Sequence, residues 1–311
     1  VEEVIYETSL KSNQLLNQSY KIVSTISASD LSIVYLAQKI ENEKTVVIKE
    51  FYPKALVVRD LDEKTLICSY SMNKKKLNEW KHTFLQEALF LKKLVHPNIV
   101  QYIEHFEENG TMYIVMEYCE GQTLETYIQR ESFQLATFLK EVYLPLIHTL
   151  DYVHQQEIIH RDIKPKNILI DKNGNVKMID FGSATYLEPT MEREIFTTKG
   201  YSPLELYSKQ SKQGTFSDVY SMAAIFYFIL KGKPPADAPS RVIEDTLEPL
   251  NSKDRMISPW LLKKIMKSLS VHYNERPHSI VSFIPYIKLE YHLLRIINKF
   301  QKVEKRPDYS K

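Results

Sequence analysis

The chain has 311 residues, a length for about two domains, and 43% hydrophobic residues supply ample material for a large core. Its 41 basic and 39 acidic residues leave a net charge of +2, which gives no electrostatic reason to expect nucleic acid or a membrane surface as partner. Two cysteines, Cys68 and Cys119, form neither a disulfide framework nor a metal spacing and suit a reducing cytoplasm, and the longest apolar run, residues 219–230, is too short to span a bilayer.

Residues 1–17 are polar with scattered apolar positions and read as an extension ahead of the fold. Strand-like alternation follows over residues 20–26, 32–40 and 45–51, with a turn at 41–44. Residues 53–78 then carry two short apolar runs around 60–63, the pattern of an extra hairpin. Trp80, Phe84, Ala88, Leu91 and Val95 form a helical stripe, and Glu87 lies on that same face. A carboxylate facing a core is costly unless paired, so Glu87 predicts a cation, and Lys49 at the end of the third strand is the candidate. Two further strands reach 106 and start at 112. Helical text occupies residues 124–128 and 135–155, and the apolar run 219–230 reads as a buried helix.

The densest stretch runs from His160 to Gly182. Asn173-Gly174 between two apolar runs predicts a hairpin, and a two-residue turn there makes Lys172 face Asn175 and Asn167 face Asp180. An amide oxygen and a carboxylate so placed form an incomplete oxygen cage of the kind that holds Mg²⁺ once phosphate oxygens and water complete it. Asp162 and Lys164 precede Pro165 in a segment biased away from helix. A carboxylate, an ammonium and a metal pair within one loop suit in-line phosphoryl transfer. After Gly182, residues 183–199 are polar and include Thr190, Thr197 and Thr198. The nine histidines show no zinc-ligand spacing. Residues 280–287 and 291–300 read as a last helix pair, and 301–311 as a polar tail.

His160-Arg161-Asp162 through Asn167 and Asp180-Phe181-Gly182, in this order, resemble the catalytic loop and metal-binding segment of protein kinases. Val46-Val47-Ile48-Lys49 is similar to the family's third strand, and Lys49-Glu50-Phe51-Tyr52-Pro53 with the insert after it resembles the bacterial eukaryotic-like Ser/Thr branch. The resemblance covers about residues 20–290. It implies an α+β, bilobal protein-kinase-like fold: a small antiparallel β-sheet N-lobe with one main helix, a larger and mostly helical C-lobe, and ATP between them. The expected boundaries are an extension over 1–17, an N-lobe over 18–117 with the insert 53–78, a hinge and C-lobe over 118–300, and a tail over 301–311.

The resemblance also assigns roles. Asp162 accepts or orients the substrate hydroxyl, Lys164 neutralises the γ-phosphoryl, and Asn167 and Asp180 hold Mg²⁺, or Mn²⁺ in its place. Lys49, fixed by Glu87, holds the α- and β-phosphates. Met116 is the gatekeeper, the backbones of Glu117 and Cys119 meet adenine, Val47 packs on the base, and Ile26, Val34 and Leu169 are further nucleotide contacts. Ser27, Ser29 and Ser32 stand at the three positions of the family's glycine-rich phosphate loop, the largest departure from its pattern. Gly121 frees the crossing between lobes, Glu205 pairs with Arg276, Asp218 holds the catalytic loop through its backbone amides, and Arg161 awaits a phosphothreonine. Lys164 and Thr198 at their spacing resemble the Ser/Thr class, which implies protein substrates with hydroxyl acceptors and autophosphorylation at Thr197 or Thr198. The alternatives are a pseudokinase scaffold with weakened ATP binding, motivated by the three serines, and a small-molecule phosphotransferase of related fold.

Overall fold

The computed structural model describes residues 8–304 apart from 131, 188–194 and 252–256. They form two compact units that divide between Glu120 and Gly121.

The first unit is built on a six-stranded antiparallel sheet in the order β1-β2-β3-β4-β8-β7. Its strands are β1 (Leu15–Leu16), β2 (Tyr20–Ala28), β3 (Ser32–Lys39), β4 (Thr45–Phe51), β7 (Tyr102–Glu108) and β8 (Thr111–Glu117). Between β4 and the helix α1 (Lys74–Lys93) lies a two-stranded hairpin of β5 (Val57–Arg59) and β6 (Leu66–Cys68), the extra hairpin that the insert predicts. Alternation places Ile33, Tyr35 and Ala37 of β3 and Val46 and Ile48 of β4 in the core. Leu10 and Leu16 join that core, so residues 8–16 belong to the fold and not to an extension ahead of it. Two leucines six positions apart are too sparse a pattern to announce a strand.

The same period of two turns Glu50 inward, where it is fully buried. Arg59 of β5 reaches its carboxylate with Nη2 at 2.8 Å and Nη1 at 3.2 Å, and the hydroxyls of Tyr35 and Tyr113 donate to it at 2.6 and 2.9 Å. Arg59 Nε also donates to Thr8 O at 2.7 Å, and the Leu10 amide donates to Tyr35 Oη at 3.0 Å. One buried carboxylate therefore ties the insert, the sheet and the leading segment together.

The second unit is mostly helical. Its helices are α2 (Leu124–Ile128), α3, α4 (Thr215–Lys231), α5 (Ala238–Ile243), α6 (Pro259–Ser268) and α7 (Ile284–Glu304). α3 consists of Leu135–Phe138, a π-helical turn over Leu139–Tyr143, and Leu144–Gln155. Pro145 explains the wider turn: it lacks an amide hydrogen and would clash with the carbonyl four residues back in a regular helix. α4 is buried on nearly every face, as its apolar run predicts, and stops where Gly232 takes φ 73°. α7 is one continuous helix after a 3₁₀ turn (Ile280–Phe283), not the expected pair, because residues 288–290 contain no helix breaker. Glu205 and Arg276 make the expected buried bidentate pair at 2.7 and 3.1 Å.

Short strands complete this unit: β9 (Gly121–Thr123), β10 (Ile158–Ile159), β11 (Ile168–Asp171), β12 (Val176–Met178) and β13 (Thr185–Tyr186). β11 pairs with both β12 and β9, and β10 with β13. Gly121 serves close approach and not conformational freedom, since a Cβ there would stand 2.1 Å from Ile170 O.

The β11–β12 hairpin forms, with a register one residue from the expected one. Ile168 pairs with Met178 and Ile170 with Val176, and Asp171 N donates to Asn175 O at 2.9 Å. The loop has three residues because Gly174 takes φ 86° while Asn173 does not share the left-handed region, which gives a type I turn and a bulge instead of the mirror-image turn. Asp171 fixes this choice: its Oδ1 accepts from the amides of Asn173 and Asn175, both at 2.8 Å. Asn167 accordingly faces Ile179, whose amide donates to Asn167 O at 3.0 Å, and the strand-pairing argument for Asn167 opposite Asp180 does not hold.

Asp218, in the first turn of α4, accepts from the amides of His160 at 2.9 Å and Arg161 at 2.8 Å, and its Oδ2 lies 2.8 Å from His154 Nε2. Burial opposes its ionisation, but the hydrogen bond and charge of His154 and the His160 amide outweigh it and hold its carboxyl below the ordinary carboxylate value.

Two stability experiments follow from these buried groups. Arg59→Met leaves Glu50 as an uncompensated buried charge and lowers the unfolding free energy by about 3–5 kcal/mol in denaturant titrations. Asp218→Asn costs about 2–4 kcal/mol at neutral pH. Because the folded carboxyl titrates below its unfolded value, its stabilisation is complete above the ordinary carboxylate range and fades as pH falls through the folded pKa. Wild-type and Asp218→Asn stabilities therefore converge in acid; a gap that stays constant down to about pH 3 contradicts this.

Candidate active site

Within the first unit, Lys49 Nζ donates to both oxygens of Glu87 at 2.8 Å. Glu87 is 2% exposed on the face of α1 that also buries Phe84, Ala88 and Leu91. The pair forms because strand alternation sends Lys49 to the face opposite Glu50, where the helix presents its carboxylate. Val34 lies opposite Lys49, and Val47 opposite Met116, so these four residues share one face of the sheet. Met116 is buried, while Val34, Val47, Glu117 and Cys119 are half-buried. The Glu117 amide donates to Gln101 O at 2.9 Å.

The serine-bearing turn closes β2 onto β3 through Asp30 and Leu31, with Ser27 opposite Val34. Ser29 Oγ accepts from the amides of Leu31 at 3.3 Å and Ser32 at 3.1 Å and lies 3.1 Å from Ser32 Oγ. These amides belong to the turn that the resemblance assigns to phosphate, and a side chain of the turn itself engages them. Asp30 also forms an ion pair with Lys54. Ile26 and Ser27 are exposed, and the β2–β3 ladder has an irregularity between Thr25 and Ser27.

Within the second unit, the Asp162 carboxylate is the focus of three side chains. Lys164 Nζ donates to Oδ2 at 2.7 Å, Asn167 Nδ2 to Oδ2 at 2.9 Å, and Thr198 Oγ1 to Oδ1 at 2.8 Å. Lys164 also donates to Thr198 Oγ1 at 3.1 Å. Asn167 occupies a 3₁₀ turn (Pro165–Asn167), and its amide nitrogen also donates to Asp162 O at 2.9 Å. With the nitrogen so committed, the amide oxygen is the atom turned to other partners.

Arg161 holds φ 67° and Asp180 φ 64°. Both are left-handed positions, costly for arginine by about 1–2 kcal/mol and easier for aspartate, whose short polar side chain bonds locally. Asp218 holds the first of them through the two amides already described. The second takes Asp180 out of strand geometry just after β12; its Oδ1 accepts from the Gly182 amide at 3.4 Å. The Arg161 side chain is buried, with Nε donating to Ser183 O at 2.5 Å and Nη1 to Gln213 Oε1 at 3.1 Å. His160 is fully buried against Phe181, ring centroids 4.6 Å apart, and burial pushes its imidazole pKa down. Leu169 is half-buried on β11.

The donor chemistry of Asn167 and Asp180, an amide oxygen and a carboxylate, fits Mg²⁺ or Mn²⁺ with phosphate and water completing the shell. Among the described residues no group of three or more His, Cys, Asp or Glu could hold a metal by itself.

Sequence reasoning missed the support of residues 198–202. The Thr198 amide donates to Ser202 Oγ at 2.8 Å, Ser202 N to Thr198 O at 2.9 Å, and Gly200 N to Asp237 Oδ1 at 3.3 Å. Tyr207 Oη donates to that same Asp237 oxygen at 2.7 Å. Asp237 and Tyr207 are isolated polar residues in text without periodicity, so no local signal points to them.

The protein kinase domain model matches residues 20–281. The chain is 34% identical over 226 residues to serine/threonine-protein kinase PrkC of Bacillus subtilis, covering 72% of this chain and 32% of that protein. Sperm motility kinase 2B of Mus musculus is 33% identical over 162 residues, 52% of this chain and 34% of its own length. The chain thus spans about a third of the length of these curated relatives. Among solved structures, the one titled PpkA-294 apo form superposes with a TM-score of 0.76 at 28% identity, covering 90% of this chain and 99% of its own. The chain belongs to the protein kinase family and stands with its bacterial eukaryotic-like Ser/Thr branch.

Proposed function

We propose that the chain is an ATP-dependent Ser/Thr protein kinase that transfers the γ-phosphoryl group to protein hydroxyls. The observation that carries this reading is the Asp162 carboxylate with Lys164, Asn167 and Thr198 around it. A hydroxyl already donates to Asp162 Oδ1 there, which is the contact that an acceptor alcohol needs before it attacks phosphorus. Lys164, bonded to that carboxylate, is placed to offset charge on the phosphoryl oxygens, and Lys49, oriented by Glu87, is the cation for the nucleotide phosphates. Met116 with Val34 and Val47 supplies the apolar face for the base, and Ile26, Leu169 and the backbones of Glu117 and Cys119 are assigned to it as well. Asn167 and Asp180 would hold Mg²⁺ or Mn²⁺, which neutralises phosphate charge when bound.

Autophosphorylation belongs to this proposal. Thr198 spends its hydroxyl on Asp162, whereas Thr197 is exposed, so Thr197 is the acceptor. Thr190 lies outside the described residues. The domain limits given by the resemblance, 18–117 and 118–300, belong to the same reading, adjusted to take residues 8–16 into the first domain and to divide between Glu120 and Gly121. No helix among the described residues is long and apolar enough to cross a membrane. The free thiols of Cys68 and Cys119 fit a reducing compartment such as the cytoplasm.

Asp162→Asn lowers phosphate transfer from radiolabelled ATP to a generic protein substrate by at least about a hundredfold. No transfer by pure wild-type protein at any Mg²⁺ or Mn²⁺ concentration would sink the enzymatic reading and favour a scaffold. Replacing Ser27 and Ser29 together by glycine releases the Leu31 and Ser32 amides and tightens ATP binding in calorimetry, by about three- to tenfold if two hydrogen bonds to phosphate are gained. Unchanged or weaker binding means that the hydroxyls themselves serve the nucleotide.

A further inference from the structure

Helix α4 and the turn ahead of it grip Arg161 at both ends. Asp218 accepts from its main-chain amide at 2.8 Å, and Gln213, just before the helix, accepts from its guanidinium, Nη1 to Oε1 at 3.1 Å. Nε of the same head group donates to Ser183 O at 2.5 Å. Three stretches of chain therefore meet on one side chain: the loop that carries Asp162, the residue that follows Asp180-Phe181-Gly182, and the approach to α4. Arg161 is 6% exposed and Gln213 7%, so water does not compete for this contact.

Gln213 is itself held in place. Its Nε2 donates to Glu205 O at 3.3 Å, and the Glu205 carboxylate is fixed by Arg276 and by the Ser217 hydroxyl, which donates to Oε1 at 2.8 Å. The chain then enters α4 at once, with the Ser217 amide donating to Gly214 O at 2.9 Å. A carboxamide carries its donor and its acceptor on opposite arms, so a nitrogen bonded to Glu205 leaves the oxygen aimed at Arg161.

An arginine beside a catalytic carboxylate reports phosphorylation when its acceptor arrives only with the phosphoryl group, whose charge and oxygens then draw the loop into order. The resemblance assigns Arg161 to a phosphothreonine in that way. Here a neutral, buried and anchored side chain already gives the guanidinium an oxygen, Ser183 gives it another, and Asp218 already imposes the left-handed backbone. We propose that Gln213 is a positioning residue for the transfer reaction: its side-chain amide holds Arg161, and through it Asp162, so that the enzyme works without a phosphate on residues 183–199. The inference rests on the kinase reading above. Autophosphorylation at Thr197 then marks a protein that is already active and does not switch it on.

The test measures transfer from radiolabelled ATP to a generic Ser/Thr peptide by phosphatase-treated protein, with mass spectrometry confirming that residues 183–199 carry no phosphate. The same protein preincubated with MgATP is the comparison. Treated wild type starts without a lag and stays within about twofold of the preincubated form in kcat and KM. Gln213→Met keeps the side-chain volume but loses the acceptor; it lowers kcat by at least about tenfold with KM for ATP within about twofold, because Asp162 follows Arg161 directly. Adding Gln213→Met to Arg161→Met costs less than about threefold beyond Arg161→Met alone, as for residues that act through one contact. A merely structural role for Gln213 would add its full loss to that of Arg161→Met, and that result overturns the proposal. Activity confined to the phosphorylated form also overturns it and leaves the kinase reading standing, whereas no transfer by either form overturns both. If circular dichroism shows the variants unfolded, the two wild-type forms decide the matter alone.

Discussion

The loop from His160 to Asn167, to which we assign the chemistry, depends on one buried carboxylate, that of Asp218, to which we assign none. Asp218 grips the consecutive amides of His160 and Arg161 and so forces the chain through a left-handed arginine, a conformation that the local sequence disfavours. The turn sends the Arg161 side chain inward and leaves Asp162 among Lys164, Asn167 and Thr198. Asp218 can bear this load because it opens a helix buried on nearly all faces, where the first-turn dipole also favours a negative charge. The loop carries backbone strain at Arg161, and the buried helix beneath it, through Asp218, holds that strain.

A parallel division of labour organises the first unit. On β4, adjacent residues Lys49 and Glu50 point to opposite faces and each meets its counter-charge: Glu87 on α1 for one, Arg59 on the inserted hairpin for the other. The outward pair is assigned to nucleotide phosphates, and the inward pair joins the sheet to its insert. Strand alternation alone dictates that neighbours so similar in polarity serve such different ends.

Much of this was legible in the sequence, and the misses share a cause. Long periodic segments, the α1 stripe with Glu87 and the mostly apolar α4, read correctly because burial dictates their pattern, except that Val95, the last residue of the expected stripe, lies past the end of α1 and is exposed. The β11–β12 register was misread by one residue because Asn-Gly suits two turn types, and the carboxylate of Asp171, two residues before the asparagine, selects between them. Glu50 offered a signal that went unused, since the alternation with Val46 and Ile48 already places it in the core and demands a cation. Leu10, Leu16, Tyr207 and Asp237 offered none, because partners distant in sequence define their roles. The serines of the phosphate turn were recognised by position, but that Ser29 caps the turn's own amides is a matter of three-dimensional geometry.

The bond from Arg59 to Thr8 O has a practical side. Arg59 spends its head group on Glu50 and its Nε on the main-chain carbonyl of Thr8, so shortening the protein past Thr8 would strip a buried guanidinium of one acceptor while leaving every strand of the sheet intact. Trimming designed from strand boundaries alone would begin at Leu15 and remove that acceptor together with the core residue Leu10. Domain borders for expression are better drawn around this polar knot than around the first regular strand.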